Sequence, residues 1–137
     1  MAPLRIGDAE GDLYGTTEFG EDMTDCGTLG CGVVYKIDRS GHETVLYSFT
    51  GGADGSEGGS TLVRDAAGNL YGTTGFGGDL SCFAPFGCGV VFKIDCSGHE
   101  TALQRFRGQP FDGWNPIAGL VRDPAGNFYG TTLRGGA

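Results

Sequence analysis

The sequence contains no apolar run near the roughly eighteen residues that a membrane-spanning helix requires. Nor does any stretch place apolar residues at a helical spacing, so no amphipathic helix is expected. Basic residues are scarce: nine Lys and Arg stand against seventeen Asp and Glu, a net charge of −8. With no basic stripe to neutralise phosphates, nucleic acid and anionic membrane surfaces are excluded as partners. Residues 8–64 hold eleven acids against Lys36, Arg39 and Arg64, whereas residues 65–121 hold five against Lys93, Arg105 and Arg107. The excess acid reads as solubility rather than chemistry. The opening Met1-Ala2-Pro3-Leu4-Arg5-Ile6 lacks the apolar core of a signal peptide. An export signal is therefore expected outside this stretch, or the chain stays inside the cell.

Glycine is what the sequence has in excess, 28 of 137 residues, about three times ordinary usage. The glycines fall between short apolar runs, the pattern of many strands joined by tight turns. One stretch recurs three times: Asp12-Leu13-Tyr14-Gly15-Thr16-Thr17, Asn69-Leu70-Tyr71-Gly72-Thr73-Thr74 and Asn127-Phe128-Tyr129-Gly130-Thr131-Thr132. Tyr14 and Tyr71 are 57 residues apart, and Tyr71 and Tyr129 are 58 apart. A self-match at that period marks a repeat architecture. The expected organisation is a degenerate first strand at 1–7, repeat 1 at 8–64, repeat 2 at 65–122 and a partial repeat 3 at 123–137.

Each full repeat offers four strand-like runs. One set of the four, in chain order, is Thr61 to Asp65, Asn69 to Thr74, Gly89 to Asp95 and Thr101 to Phe106. Each is short and rich in β-branched and aromatic residues. Val33, Tyr35 and Ile37 share one face of their run, as do Val90, Phe92 and Ile94, so the period is two. The first two runs are linked by Asp65-Ala66-Ala67-Gly68-Asn69 and its two counterparts. Asp bonds nearby backbone and Gly supplies a positive φ, which makes a hairpin. The third and fourth runs are linked by Asp38-Arg39-Ser40-Gly41-His42-Glu43 and Asp95-Cys96-Ser97-Gly98-His99-Glu100, again hairpins.

The fold class expected is all-β, with tandem four-stranded antiparallel sheets. Each sheet is apolar on both faces, and stacking sheets radially as β-propeller-type blades buries both. About two and a half repeats make an open fragment or an oligomer-closed ring. The long connections (18–30, 51–60, 75–87 and 108–118) are expected on one rim, where binding would sit. The glycine of each Gly-Thr-Thr triplet is expected to let a neighbouring sheet approach closely, and the threonines to add strand propensity.

These residues resemble the GloVer (Gloeo/Verruco) tandem repeat. The features that carry the likeness are Leu70 to Thr74, Gly77-Gly78, Val91 to Asp95, Thr44 to Phe49, Asp54-Gly55 or Asp112-Gly113, and Gly119 to Asn127. The match covers essentially residues 4–136. The pattern is more distantly similar to NHL-type propeller blades. The resemblance implies a large secreted or surface-anchored bacterial protein, and it assigns no catalytic residues.

Five cysteines are present. Cys26 with Cys31 and Cys82 with Cys88 flank equivalent long connections, so one local disulfide per connection is expected, in keeping with an oxidising, exported setting. A zinc site shared by all four is the rival. Cys96, on a hairpin turn, reads as a free thiol. His42 and His99 stand beside Glu43 and Glu100; exposed turn residues are favoured over a general base. The acids Glu18, Glu21, Asp22 and Asp25 are the calcium candidates, since the Asp65-to-Asn69 turn is too short for a calcium loop. Trp114 with Phe111, Asp112 and Asn115 is the candidate ligand-binding set, an aromatic face beside hydrogen-bonding groups suited to carbohydrate. The rival is Trp114 as a plug between blades. No cofactor is expected beyond the calcium weighed above. The function expected is a non-enzymatic exported scaffold or adhesion module whose partner is carbohydrate or another cell-surface ligand, or neighbouring repeats or copies of itself. The alternatives are a lactonase- or lyase-like propeller enzyme and a filament subunit.

Overall fold

In the computed structural model the described residues are 5–20, 26 and 29–136. The fold is all-β, built from antiparallel sheets. Strands β1 (Arg5–Gly7), β2 (Leu13–Thr16), β3 (Val33–Ile37) and β4 (Glu43–Ser48) form a sheet in sequential order. The next sheet repeats it with β5 (Ser56–Gly58), β6 (Val63–Arg64), β7 (Leu70–Phe76), β8 (Val90–Ile94) and β9 (Glu100–Arg105). Both β5 and β6 pair with β7, so they act as two pieces of one edge strand. That strand was expected only over residues 61–65, and β7 was expected to stop at Thr74. Pairing of Ser56 with Phe76 carries both of them two or more residues further. A third hairpin follows, β11 (Val121–Arg122) with β12 (Phe128–Tyr129), flanked by β10 (Gly113–Trp114) with β13 (Arg134–Gly135). Residues 1–4 of the expected first strand lie outside the described residues.

Local chemistry fixes each hairpin. Asp65 Oδ1 accepts the backbone N–H of Ala67 and of Asn69 at 3.0 and 2.9 Å, and Gly68 takes φ +89°. Tyr71 closes the turn by donating its hydroxyl to Asp65 Oδ2 at 2.9 Å. Tyr14 makes the same bond to Asp8, and Tyr129 to Asp123, each at 2.9 Å. A register shift occurs at Val34/Tyr35 in one sheet and at Val91/Phe92 in the other, the same place in both.

Strand β8 alternates as its sequence requires: Val90, Phe92 and Ile94 are buried, while Val91 and Lys93 are only partly so. The buried face meets the first sheet in a core of Tyr14, Val34, Phe49, Leu62, Phe92 and neighbours. The Phe49 and Phe92 rings pack edge-to-face at 5.2 Å. Thr16 donates its hydroxyl across the junction to the Ser60 carbonyl at 3.1 Å. The far face of the second sheet meets the third hairpin in the same way, with Thr73 donating to the Ala118 carbonyl at 3.1 Å. Tyr71 lies on Phe128 there, centroids 4.3 Å apart.

The triplet glycines act differently from the expectation. A Cβ on Gly72 would lie 2.7 Å from the Phe92 ring and 2.9 Å from Leu62, and one on Gly15 would lie 2.5 Å from the Tyr35 hydroxyl. Phe92 and Tyr35 are the cross-strand partners of these glycines. The close approach is therefore of an aromatic ring in the same sheet, which covers the backbone that glycine leaves bare. Thr16 and Thr73 do more than favour strand, because their hydroxyls bridge the junctions, whereas Thr17 and Thr74 bond to carbonyls two residues on.

Phe106 stands where Phe49 stands one repeat earlier, but it is partly exposed whereas Phe49 is fully buried. Phe92→Ala is expected to cost about 3–5 kcal/mol of stability in denaturant unfolding, and Phe106→Ala less than half of that. Equal losses would show that the two faces are packed alike.

Candidate functional site: the long-connection rim

Strand direction carries the long connections to one end of the sheets, and they interlock there. Cys26 is bonded to Cys31 and Cys82 to Cys88, with Cα separations of 5.2 and 5.6 Å. The thiols that the rival zinc site would need are thus tied up. Each disulfide loop holds the following connection by a main-chain bond. Glu57 N–H donates to the Cys31 carbonyl at 2.9 Å, and Asn115 N–H to the Cys88 carbonyl at 2.7 Å. Glu57 and Asn115 both adopt positive φ, +56° and +63°, where side chains are rarely tolerated. Cys96 is free and exposed on its turn.

The candidate set around Trp114 is only partly brought together. Asp112 is committed to the loop, accepting from the N–H groups of Arg107 and Gly108 at 2.8 and 2.9 Å and from Gln104 at 3.1 Å. Asn115 is buried and donates its amide to the Gly75 carbonyl at 2.9 Å. Phe111 is exposed, with the Arg107 guanidinium 3.8 Å above its ring. Trp114 is half-buried. Its ring lies 4.9 Å from Phe83, and Arg134 approaches it at 5.5 Å.

Sequence reasoning missed the larger aromatic group. Phe83 and Phe86 are exposed, at 53% and 58%, and lie 5.6 Å apart with Phe76 about equally close to both. With Pro85, Glu57, Ser56 and Gly51 they line a cleft of about 520 Å³. Two phenylalanines inside an irregular connection carry no periodic signal, so only their number could have drawn attention. Burial raises the Glu57 carboxyl above its ordinary range, and the nearby charge of Glu18 adds to the shift.

Glu18 is exposed beside this rim. The other calcium candidates, Glu21, Asp22 and Asp25, lie outside the described residues. Among the described residues no three His, Cys, Asp or Glu side chains are grouped so as to hold a metal ion. His42 and His99 are exposed on their turns. Asp38 and Asp95 bond the backbone N–H of these histidines at 2.9 and 3.0 Å and the hydroxyls of Ser40 and Ser97 at 2.7 Å. The serine hydroxyl, followed by the backbone bond, holds both carboxyls below their ordinary value.

The model of the Gloeobacter/Verrucomicrobia repeat matches residues 2–137. The chain belongs to this repeat family. Comparison with curated proteins gives no match. In this Gloeobacter/Verrucomicrobia repeat chain the recurring acids differ by environment. At Asp65 burial acts upward, but the side-chain and backbone bonds from Asn69 and the bonds from Tyr71 and Ala67 outweigh it, setting the group at about 2.

Glu100 is the exception. It faces the junction between the two sheets, and its Oε2 is buried without a hydrogen-bond partner. Burial raises it to about 7, with the charge of Asp54 adding and that of Arg105 opposing. A carboxyl protonated more readily in the folded state favours folding below its ordinary value of 4.5, and that contribution fades as pH rises toward 7. Glu100→Gln is therefore expected to melt higher than the parent at about pH 8 and to show no such advantage at about pH 4. Thiol titration of the denatured, unreduced chain should return about one thiol, from Cys96; a value near five would remove both disulfides.

Proposed function

We propose that the chain is a non-enzymatic, exported repeat module whose blades stack in the β-propeller manner and present the long-connection rim as a scaffold or adhesion surface. Repeat 1 at 8–64, repeat 2 at 65–122 and the partial repeat 3 at 123–137 are the units of that stack. Recurrence of the Thr16–Ser60 bond as Thr73–Ala118 supports the regular stacking. Two disulfides fit an oxidising compartment, hence export to the cell surface or beyond.

The observation that carries the binding role is the gathering of Phe83, Phe86 and Trp114 on the rim. The recurring Asp, Ser and Tyr groups, by contrast, are spent on turns. Exposed aromatic faces suit the apolar face of a sugar ring. With Asp112 and Asn115 bonded to the protein, the polar recognition falls to backbone groups, Arg134 and Glu57 around the aromatic cleft. Carbohydrate is therefore the ligand class put forward. A structural array is the second reading, favoured by the recurrence of the same junction contact from one repeat to the next.

A glycan array probed with the parent, Phe83→Ala and Trp114→Ala decides the binding role. Saturable binding that weakens by roughly tenfold in each variant, with thermal unfolding intact, is the expected result. Binding of no glycan, or binding indifferent to both changes, would contradict the proposal.

A further inference from the structure

The cleft of about 520 Å³ beside Phe83 lies between two successive long connections. Gly51, Ser56 and Glu57 line it from the earlier one, and Phe76, Phe83 and Phe86 from the later one. The fold holds both sides. Ser56 pairs with Phe76 in the sheet, Gly78 N–H donates to the Gly52 carbonyl at 2.9 Å, and Glu57 N–H is held by the Cys31 carbonyl. The Cys82–Cys88 disulfide closes the turn that carries Phe83 and Phe86, and Phe86 N–H donates to the Phe83 carbonyl at 3.1 Å. A cleft whose parts are already fixed binds at little ordering cost.

Among the described residues that line the cleft, only Ser56 and Glu57 carry polar side chains, and Ser56 is itself buried. A group rich in N–H or O–H would leave most of its donors unpaired there, which is costly. A quaternary ammonium has a charge but no N–H to satisfy. The centroids of Phe83 and Phe86 are 5.6 Å apart, and Phe76 lies 6.4 and 6.5 Å from them. A cation capping that triangle lies within about 6 Å of every centroid, the reach of cation–π attraction. Glu57 brings a carboxylate to the same cleft, and none of the described lining residues is basic. The chain's net charge of −8 favours a cation further.

We propose that this cleft receives a quaternary ammonium group of the ligand, held against Phe76, Phe83 and Phe86 with the Glu57 carboxylate as its counter-charge. The proposal rests on the reading of this rim as the binding surface and adds a charged substituent to the ligand class. The sugar ring of that reading rests outside the cleft, where its hydroxyls stay in water. Glu57 is kept above its ordinary range by burial and by the charge of Glu18. A cation beside it relieves both effects. A primary ammonium is a poorer guest, since it has three donors and the cleft offers one carboxylate to receive them.

Calorimetric titration of the chain with choline chloride at about pH 8 and fixed ionic strength tests this. The control is the neutral analogue of choline in which carbon replaces the charged nitrogen. Choline is expected to bind saturably and the analogue roughly tenfold more weakly. Glu57→Gln and Phe86→Leu should each weaken choline binding by roughly tenfold, leave the analogue unchanged and keep the melting temperature, because both side chains lie at the surface of the rim. No saturable choline binding, an analogue that binds as well as choline, or indifference to Glu57→Gln overturns the proposal. Phosphatidylcholine vesicles and a choline-substituted glycan, each offered as competitor, separate the two sources of such a head: displacement of choline by either one supports the site and names its source. A failed choline titration leaves the glycan array result standing, and a blank array of uncharged glycans leaves choline binding standing.

Discussion

The Phe92 ring, laid over Gly72 in its own sheet and edge-on to Phe49 of the preceding one, is the contact on which the stacking depends. Glycine at position 72 leaves backbone that would otherwise be bare in a sheet interior. The ring covers it and reaches far enough to touch Phe49 of the preceding sheet. One residue therefore satisfies both the sheet and its neighbour, which ties strand register to sheet packing. A shift of one residue would turn Phe92 to the other face and undo both at once. The Asp–Tyr bond fixes a different register, that between the two strands of each Asp-to-Gly hairpin.

This arrangement also sets the two rims apart. The hairpin turns hold their own acids through hydrogen bonds, which leaves the turn rim self-contained. The other rim is built from long connections whose conformation is fixed by disulfides, by Glu57 and Asn115 at positive φ, and by bonds to the preceding cysteine carbonyl. Aromatic side chains can stand exposed there because the backbone beneath them is held. Glu57 and Glu100 are placed against this logic, each raised by burial. Glu100 has one carboxylate oxygen buried without a hydrogen-bond partner, and its contribution to folding is expected to fade as pH rises toward 7.

Much of the fold was legible in the sequence because its signals are local and repeated. The alternation of Val90, Phe92 and Ile94, the Asp-to-Gly turns and the 57-residue spacing of Tyr14 and Tyr71 fixed strands and pairing. The two disulfides followed from the equivalent positions of Cys26–Cys31 and Cys82–Cys88. The partner that Gly72 accommodates was misjudged, since a glycine announces room but not what fills it. The Asp–Tyr bond was visible as a threefold recurrence but was read only as turn chemistry. The site was less legible. Trp114 stood out by rarity, but nothing local shows that Asp112 and Asn115 are consumed by the loop, or that Phe83 and Phe86 fold back beside it.

The central claim is that successive sheets are joined through Phe49 and Phe92 rather than merely tethered by the chain. A double-mutant cycle combining Phe49→Ala with Phe92→Ala in denaturant unfolding measures that link directly. The account predicts a coupling energy of about 0.5–1.5 kcal/mol. Losses that simply add would contradict it, because two rings that contribute independently do not join two sheets.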